Sequence, residues 1–245
     1  MGILNLTPDS FSDGGQFLDA RQAVQQGLQL AEAGAGILDV GGESTRPGSH
    51  PVGLAEELDR VLPVVEELCQ QLEIPLSIDT SKAEVARQAV ELGAEIINDV
   101  TGLEGDPGML EVALQSGAGI CAMHMQGNPL SMQVDPRYHD VVADITGYLA
   151  GRRDALLAAG IERTRICLDP GIGFGKTHDH NLELVRRCGD FHQLGCPLLV
   201  GHSRKGFIAK ILGDKELDRT PGTVGVALWL AQQGIQGIRV PDVDA

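Results

Sequence analysis

The sequence predicts a (β/α)8 barrel, in which eight parallel strands alternate with helices around one core. Three observations lead to this prediction: eight short apolar segments recur along the 245 residues, helical patterns separate most of them, and each ends in a polar or Gly-rich cluster. The segments are GILNLT, ILDVGG, PLSIDT, IINDV, GICAMHM, RICLDPG, PLLVGHS and GIRVPD. Because the carboxyl ends of barrel strands build the active site, we expect the side chains of these clusters to meet in one mouth.

The first half of the chain contains four strand-helix units. Strand one is followed by a polar loop over residues 8–17 and a helical pattern over residues 19–33, which closes at Gly34 and Gly36. Strand two leads into the polar loop GGESTRPGSHP, and the amphipathic run LAEELDRVLPVVEEL precedes strand three. Further helices are predicted over residues 82–92 and 107–116.

The second half continues the alternation. Helices are predicted over residues 138–159, 180–194 and 221–233, interleaved with strands six, seven and eight. No Ser/Gly linker divides the chain, so residues 1–245 are predicted to form a single domain. We expect the barrel to lack its last outer helix and any N-terminal plug, because no helical pattern follows strand eight and strand one starts at Met1. Such a chain would be a fragment or would dimerise over the uncovered apolar surface.

Composition limits the function classes. The chain is 42% apolar but only 3% aromatic, which suits a core of Leu, Val, Ile and Ala. Its formal charge of −15 argues against nucleic acid or an anionic membrane as partner. The five Cys form no C-x-x-C pair, so reduced thiols are predicted instead of disulfides or a zinc site. With no signal peptide and no apolar run of roughly 20 residues, the protein is predicted to be soluble and cytoplasmic.

Seven motifs carry most of the chemically capable residues: NLTPDSFSDGG at 5–15, ESTRPG at 43–48, SIDTSK at 77–82, INDVTG at 97–102, MHMQGNP at 123–129, LDPGIGFGK at 168–176 and SRKGF at 203–207. In this order they resemble the dihydropteroate synthases of the pterin-binding family. The resemblance implies a TIM barrel, condensation of a dihydropterin hydroxymethyl pyrophosphate with para-aminobenzoate, release of pyrophosphate, use of Mg2+ and a homodimer. It also implies that the protein is a sulfonamide target.

The resemblance assigns a pterin-binding set at the strand ends. A pterin edge presents N–H donors that suit carboxylates, while its carbonyl oxygen and ring nitrogen suit an ammonium or an amide. Asp79 would face the ring nitrogen that shares developing positive charge, although it could instead only cap the helix that follows. The implied pterin contacts are Asp79, Asn98, Val100, Met123, Asp169, Phe174, Gly201 and Lys205. Met123 and Phe174 are residue types that also fit a plain core.

The remaining implied residues serve the anions and the second substrate. Asn5 would be the magnesium ligand, with a simple turn role as the alternative. Asp13 would help order the metal and pyrophosphate, although Asp13 and Asp9 in the same loop are also ordinary turn formers. Arg239, Arg46 and Arg204 are candidates for contacting anions, with solvated surface arginines as the alternative for Arg46 and Arg204. Residues resembling the para-aminobenzoate pocket are Phe11, Thr45, Pro47 and Ser203. The residues implied in catalysis are Asp13, Arg46, Asp79, Lys205 and Arg239.

Three other polar features have simpler interpretations. GIGFGK lacks the spacing of a P-loop, so its glycines are predicted to permit a turn. His178 and His180 are predicted to lie in a solvated loop, and His124 to be structural.

One position departs from the family pattern. Family members usually carry Arg-x-His in the last strand, whereas this chain has Arg239-Val240-Pro241. The departure leaves open a pterin-binding homologue without catalysis. A related barrel that transfers methyl groups from a reduced folate to a corrinoid protein is the other alternative.

Overall fold

The computed structural model describes residues 1–7, 16–214 and 216–244. Phe11 and Asp13, together with Asp9, lie outside the described residues. The eight strands are β1 (Gly2–Asn5), β2 (Leu38–Gly41), β3 (Leu76–Asp79), β4 (Ile96–Asp99), β5 (Gly119–Met123), β6 (Ile166–Asp169), β7 (Leu199–Val200) and β8 (Gly237–Ile238). They coincide with the eight segments predicted as strands.

The strands close into a parallel barrel. β1 to β6 form one sheet in sequence order, and β7 pairs with β8. Two single bridges join these sheets, one between Leu168 and Leu198 and the other between Gly2 and Val240. Next to the bridge between Gly2 and Val240, the Ile3 amide donates to the Val240 carbonyl at 3.0 Å. The predicted (β/α)8 barrel is confirmed.

Helices follow the strands in order: α1 (Gln16–Glu32), α2 (Leu54–Gln71), α3 (Ala83–Glu91), α4 (Met109–Ser116), α5 (Val141–Ala158), α6 (His178–Arg186), α7 (Gly206–Leu212) and α8 (Thr220–Gln232). The continuous helix predicted over residues 180–194 is wrong, because α6 ends at Arg186 and a 3-10 helix follows over Cys188–Leu194. α7 was not predicted, since seven residues are too few to establish a helical period. Within residues 239–244, the described segment after β8, no helix is present.

Successive side chains along each strand point to opposite faces, which separates the hydrophobic core from the candidate site. The side chains of Leu38, Val40 and Ile78 are fully buried in the hydrophobic core. Burying an aliphatic side chain of this size contributes about 1.5–3 kcal/mol. The intervening side chain of Asp39 accepts hydrogen bonds across the barrel from Asn98 of β4 and from Arg239, which follows β8, and it therefore points inward. The core thus lies between strands and helices, and polar groups line the barrel interior.

In the part of the chain that the structure describes, no helix combines the length and apolarity that crossing a membrane requires.

Candidate active site

A cavity of about 910 Å³ opens at the carboxyl ends of the strands. Its lining includes most of the residues proposed from the sequence for the site: Asn5, Thr45, Arg46, Pro47, Asp79, Phe174, Gly201, Ser203, Arg204, Lys205 and Arg239. Residues that are far apart in sequence therefore converge at one mouth. Four others, Asn98, Val100, Met123 and Asp169, are buried at or just beyond the ends of β4, β5 and β6 and are not among the lining residues.

Arg239 links two carboxylates at the base of the cavity. Its Nε donates to Asp39 Oδ2 at 2.5 Å, and its Nη2 donates to Asp79 Oδ2 at 2.6 Å. Burial raises the pKa of Asp79 to about 7, an effect opposed by the Arg239 guanidinium and reinforced by the Asp39 carboxylate. Asp79 is therefore an ion-pair partner of Arg239, and the first amide of α3, at Ala83, donates instead to Asp106 Oδ2 at 2.9 Å.

Sequence reasoning missed Asp39. It is fully buried on β2, and the same Oδ2 atom that accepts from Arg239 also accepts from Asn98 Nδ2 at 3.1 Å. A usable signal existed, because an ionisable residue inside the apolar run ILDVGG is rarely buried without a partner.

Lys205 lines the same cavity. Its Nζ donates to the Ile172 carbonyl and lies 4.5 Å from the centroid of the Phe174 ring, within cation–π range. Burial lowers the pKa of Lys205 to about 8, while the Asp169 carboxylate opposes this shift. Asp169 Oδ1 in turn accepts from the Gly171 amide at 2.7 Å. The Lys205 ammonium and the Asp169 carboxylate therefore interact electrostatically.

A strained turn presents Lys205. Arg204 has φ 54, a left-handed conformation that costs a non-glycine residue on the order of 1 kcal/mol. Two contacts hold this turn: the Arg204 amide donates to Thr223 Oγ1 at 3.0 Å, and Arg219 donates to the Arg204 carbonyl at 2.9 Å. The Arg204 side chain itself pairs with Asp242 Oδ2 at 3.2 Å. The turn is thereby tied to α8 and to the segment after β8.

The β2–α2 loop, residues 42–53, is fixed by a partly buried charge network. Lys82 Nζ donates to both Glu43 and Glu57, and Thr80 Oγ1 donates to Glu57 Oε1 at 2.6 Å. Glu57 is fully buried although it belongs to the charge-rich helix α2. The sequence carried a signal for this burial, because Glu57 has helical spacing with Val61, Val64 and Leu68 on the apolar face of α2. The network therefore positions Thr45 and Arg46 through their neighbour Glu43.

The Gly-rich LDPGIGFGK segment packs tightly against the end of β5. Lys176 is buried, with Nζ 3.0 Å from His124 Nδ1 and donating to the Phe174 carbonyl at 2.7 Å. A Cβ at Gly171, whose φ is 67, would stand 1.9 Å from the His124 carbonyl oxygen. Burial lowers the pKa of His124 to about 3, which keeps the imidazole neutral. These glycines permit the turn that the sequence predicted.

The solvated loop predicted at His178 and His180 is wrong. His178 is the first residue of α6, and Thr177 forms a capping box with His180. A His at this position is an unusual partner for the box, which ordinarily uses Glu or Gln, and the usual signature therefore did not reveal the helix start.

The comparisons with known proteins agree over the whole chain. The family model described as "Pterin binding enzyme" matches residues 1–241. Dihydropteroate synthase of Escherichia coli (strain K12) is 48% identical over 243 residues, covering 99% of this chain and 86% of that protein.

Solved structures agree in fold as well. A Yersinia pestis dihydropteroate synthase in a sulfonamide drug complex is 47% identical with a TM-score of 0.93, covering 100% of this chain and 88% of that one. A Xanthomonas albilineans dihydropteroate synthase with 4-aminobenzoic acid is 46% identical with a TM-score of 0.93, covering 100% of this chain and 87% of that one. The chain therefore belongs to the pterin-binding enzymes and, among them, to the dihydropteroate synthase family.

Proposed function

We propose that this protein condenses 6-hydroxymethyl-7,8-dihydropterin pyrophosphate with para-aminobenzoate, giving 7,8-dihydropteroate and pyrophosphate in folate biosynthesis. It is a transferase. The observation that carries the proposal is the convergence of Asp79, Lys205 and Arg239 with Asn5 at one cavity. This cavity offers a carboxylate for an electron-poor ring and a cation for a leaving anion, as the reaction requires.

The pterin is assigned to the inner end of the cavity. Asp79 and Asp169 carry acceptors for the N–H groups of the pterin edge, and Lys205 can donate to its carbonyl oxygen or ring nitrogen. Phe174, beneath the Lys205 ammonium, supplies an apolar wall. Asn98, Val100, Met123 and Gly201 complete this end.

The pyrophosphate is assigned to the side of Arg239 and Asn5. Arg46 faces the same cavity from the β2–α2 loop, and Asp13 would act from the segment outside the described residues. Removing one preorganised charge contact of this kind costs roughly 3 kcal/mol of transition-state stabilisation, about a hundredfold in rate.

Magnesium fits this end of the site. No group of three or more His, Cys, Asp or Glu among the described residues could hold a metal ion. Mg2+, however, commonly takes one or two protein oxygens and draws its remaining ligands from water and substrate phosphates. The Asn5 side chain offers one such neutral oxygen. The chemistry that magnesium would supply is neutralisation of charge on the pyrophosphate oxygens.

para-Aminobenzoate is assigned to the outer part of the cavity. Pro47 offers an apolar surface for its ring, and Thr45, Ser203 and Arg204 offer donors for its carboxylate. Phe11 would add to this pocket from outside the described residues. The Xanthomonas relative holds 4-aminobenzoic acid, which supports this second-substrate assignment.

The reaction exchanges one bond for another at the pterin methylene carbon. The carbon–oxygen bond to pyrophosphate breaks with its electron pair leaving on oxygen, the amine nitrogen forms the new carbon–nitrogen bond, and the amine proton passes to solvent. Positive charge that develops on the carbon is shared with the pterin ring. An ionised Asp79 beside that ring stabilises it, while Arg239 stabilises the departing anion.

We further propose that the chain folds as one domain over residues 1–245, acts in the cytoplasm and forms a homodimer through α7 and α8. Apolar side chains on or next to these helices are exposed: Ile211, Leu212, Leu217, Leu228 and Trp229. A second copy of the chain would cover this surface. Light scattering coupled to size-exclusion chromatography tests the dimer, and Leu228→Glu should yield monomer.

The decisive experiment is a pyrophosphate-release assay on the purified protein. Release should depend on both substrates and on magnesium, and a sulfonamide should compete with para-aminobenzoate. If the folded protein released no pyrophosphate, the proposed function would be rejected.

A pterin-binding homologue without catalysis remains a second candidate because Pro241, which replaces the expected His, lines the same cavity. Calorimetric binding of the pterin pyrophosphate without turnover would favour that candidate. Methyl transfer from a reduced folate to a corrinoid protein, measured in the same preparation, would instead identify the methyltransferase.

A further inference from the structure

The inner face of β2 carries a carboxylate to which the reaction described above assigns no role. Asp39 is fully buried, and its Oδ2 accepts from Arg239 Nε at 2.5 Å and from Asn98 Nδ2 at 3.1 Å. Its Oδ1 finds no hydrogen-bond partner among the described residues. Asp39 thus joins a side chain that follows β8 to one from β4, across the interior of the barrel.

The stability of the fold alone does not explain why a carboxylate occupies this inner position. The inner layers of (β/α)8 barrels are ordinarily filled by branched apolar side chains, and desolvating a carboxylate is costly even when it is paired. Arg239 would keep one ion pair without it, since its Nη2 donates to Asp79 at 2.6 Å. What Asp39 adds is the orientation of two groups.

The two carboxylates that pair with Arg239, Asp39 and Asp79, differ in whether they would also bind the substrate. Asp79 lines the cavity and must turn acceptor lone pairs to the pterin, whereas Asp39 is fully buried and stays paired with Arg239. The contact at Nε fixes the plane of the guanidinium. Its terminal nitrogens can then exchange Asp79 for pyrophosphate oxygens while the group stays in place.

For Asn98, the contact selects one orientation of the amide. Because Nδ2 donates to Asp39, Oδ1 is the atom left to accept from a ligand N–H. The reversed amide would place two acceptor oxygens against each other.

We propose that Asp39 is a positioning residue that orients Arg239 toward the pyrophosphate and the Asn98 amide oxygen toward the pterin. This inference rests on the proposed function. Asp39 is assigned no contact with the reacting atoms.

The test is a double-mutant cycle. Asp39→Asn keeps the shape of the side chain but removes the charge, and it should lower kcat about a hundredfold, as loss of one preorganised contact does. It should also weaken pterin pyrophosphate binding about tenfold through Asn98, with the KM for para-aminobenzoate nearly unchanged. In an Arg239→Gln background the same change should lower kcat by less than about threefold, because the group that Asp39 orients is already gone.

A matched control lies beside Asp39 in the barrel. Ser77 is the register partner of Asp39 on β3, is fully buried, and its hydroxyl has no partner within the described part of the chain. Ser77→Ala should keep kcat within about twofold of the parent. If Asp39→Asn also keeps parental kcat, or if its loss multiplies fully with that of Arg239→Gln, Asp39 is not a positioning residue.

Two further measurements keep the outcome decisive. Should Asp39→Asn fail to fold, Asp39→Glu retains the charge but displaces it by one methylene, and it should fold while losing kcat. If the parent protein releases no pyrophosphate, the proposed function has failed. The same cycle followed by calorimetry with the pterin pyrophosphate then still tests coupling between Asp39 and Arg239.

Discussion

Raising the pH should weaken pterin binding through a single side chain, Lys205. Burial lowers the pKa of this ammonium to about 8, and Asp169 only partly offsets the effect. The Lys205 ammonium is therefore charged below about pH 8 and neutral above it. A neutral amine loses the charge assistance that strengthens a hydrogen bond to the pterin carbonyl oxygen.

The magnitude follows from the fraction of Lys205 that carries its proton. With a pKa of about 8, roughly three-quarters is protonated at pH 7.5 and about a tenth at pH 9. If binding requires the cation, affinity falls about eightfold over this interval, or about 1.2 kcal/mol. Asp79, whose pKa is raised to about 7, is largely ionised throughout and contributes little.

Calorimetric titration with the pterin pyrophosphate at pH 7.5 and pH 9 measures the effect, and buffers of different ionisation enthalpy report proton uptake on binding. Lys205→Arg is the matched control, because a guanidinium stays charged at both pH values. The variant should bind more weakly at pH 7.5 yet show a flat pH dependence. An unchanged affinity in the parent protein, or an equal loss in the variant, would refute the role given to Lys205.

Three further predictions concern the site and its loop. Glu43→Gln removes the ion pair that holds the β2–α2 loop to Lys82, while Lys82 stays paired with Glu57. It should raise the KM for para-aminobenzoate severalfold in initial-rate assays. The free energy of unfolding should fall by at most about 1 kcal/mol. An unchanged KM would show that the contact between Lys82 and Glu43 does not position the loop. Pro241→His restores a donor at the cavity and should raise kcat in the pyrophosphate-release assay, and a lower kcat would argue against the expected family pattern. Asp79→Ala should lower kcat more than pterin affinity, whereas Asn98→Ala should mainly weaken binding by calorimetry; equal losses in both quantities would remove that distinction.

Much of the site could be anticipated because its residues lie at strand ends. Asp79 lies in the apolar segment PLSIDT and Arg239 in GIRVPD, and a parallel barrel brings the carboxyl ends of all such segments to one side. Pairing between them could not be anticipated, since the 2.6 Å contact joins positions 160 residues apart in sequence. The short α7 and the helix start at Thr177 were missed because neither carries a long period or the usual capping pair.

The sequence by itself determined the number and order of the strands, the helices with strong 3.6-residue periods, and the face of the barrel where chemistry is placed. These features depend on the local pattern of apolar and polar residues and on chain direction, and both can be read from consecutive residues. Tertiary structure alone decided which cationic groups pair with Asp39 and Glu57. Ion pairing depends on which distant segments pack together, and the residues around a buried carboxylate do not reveal which cation it will meet.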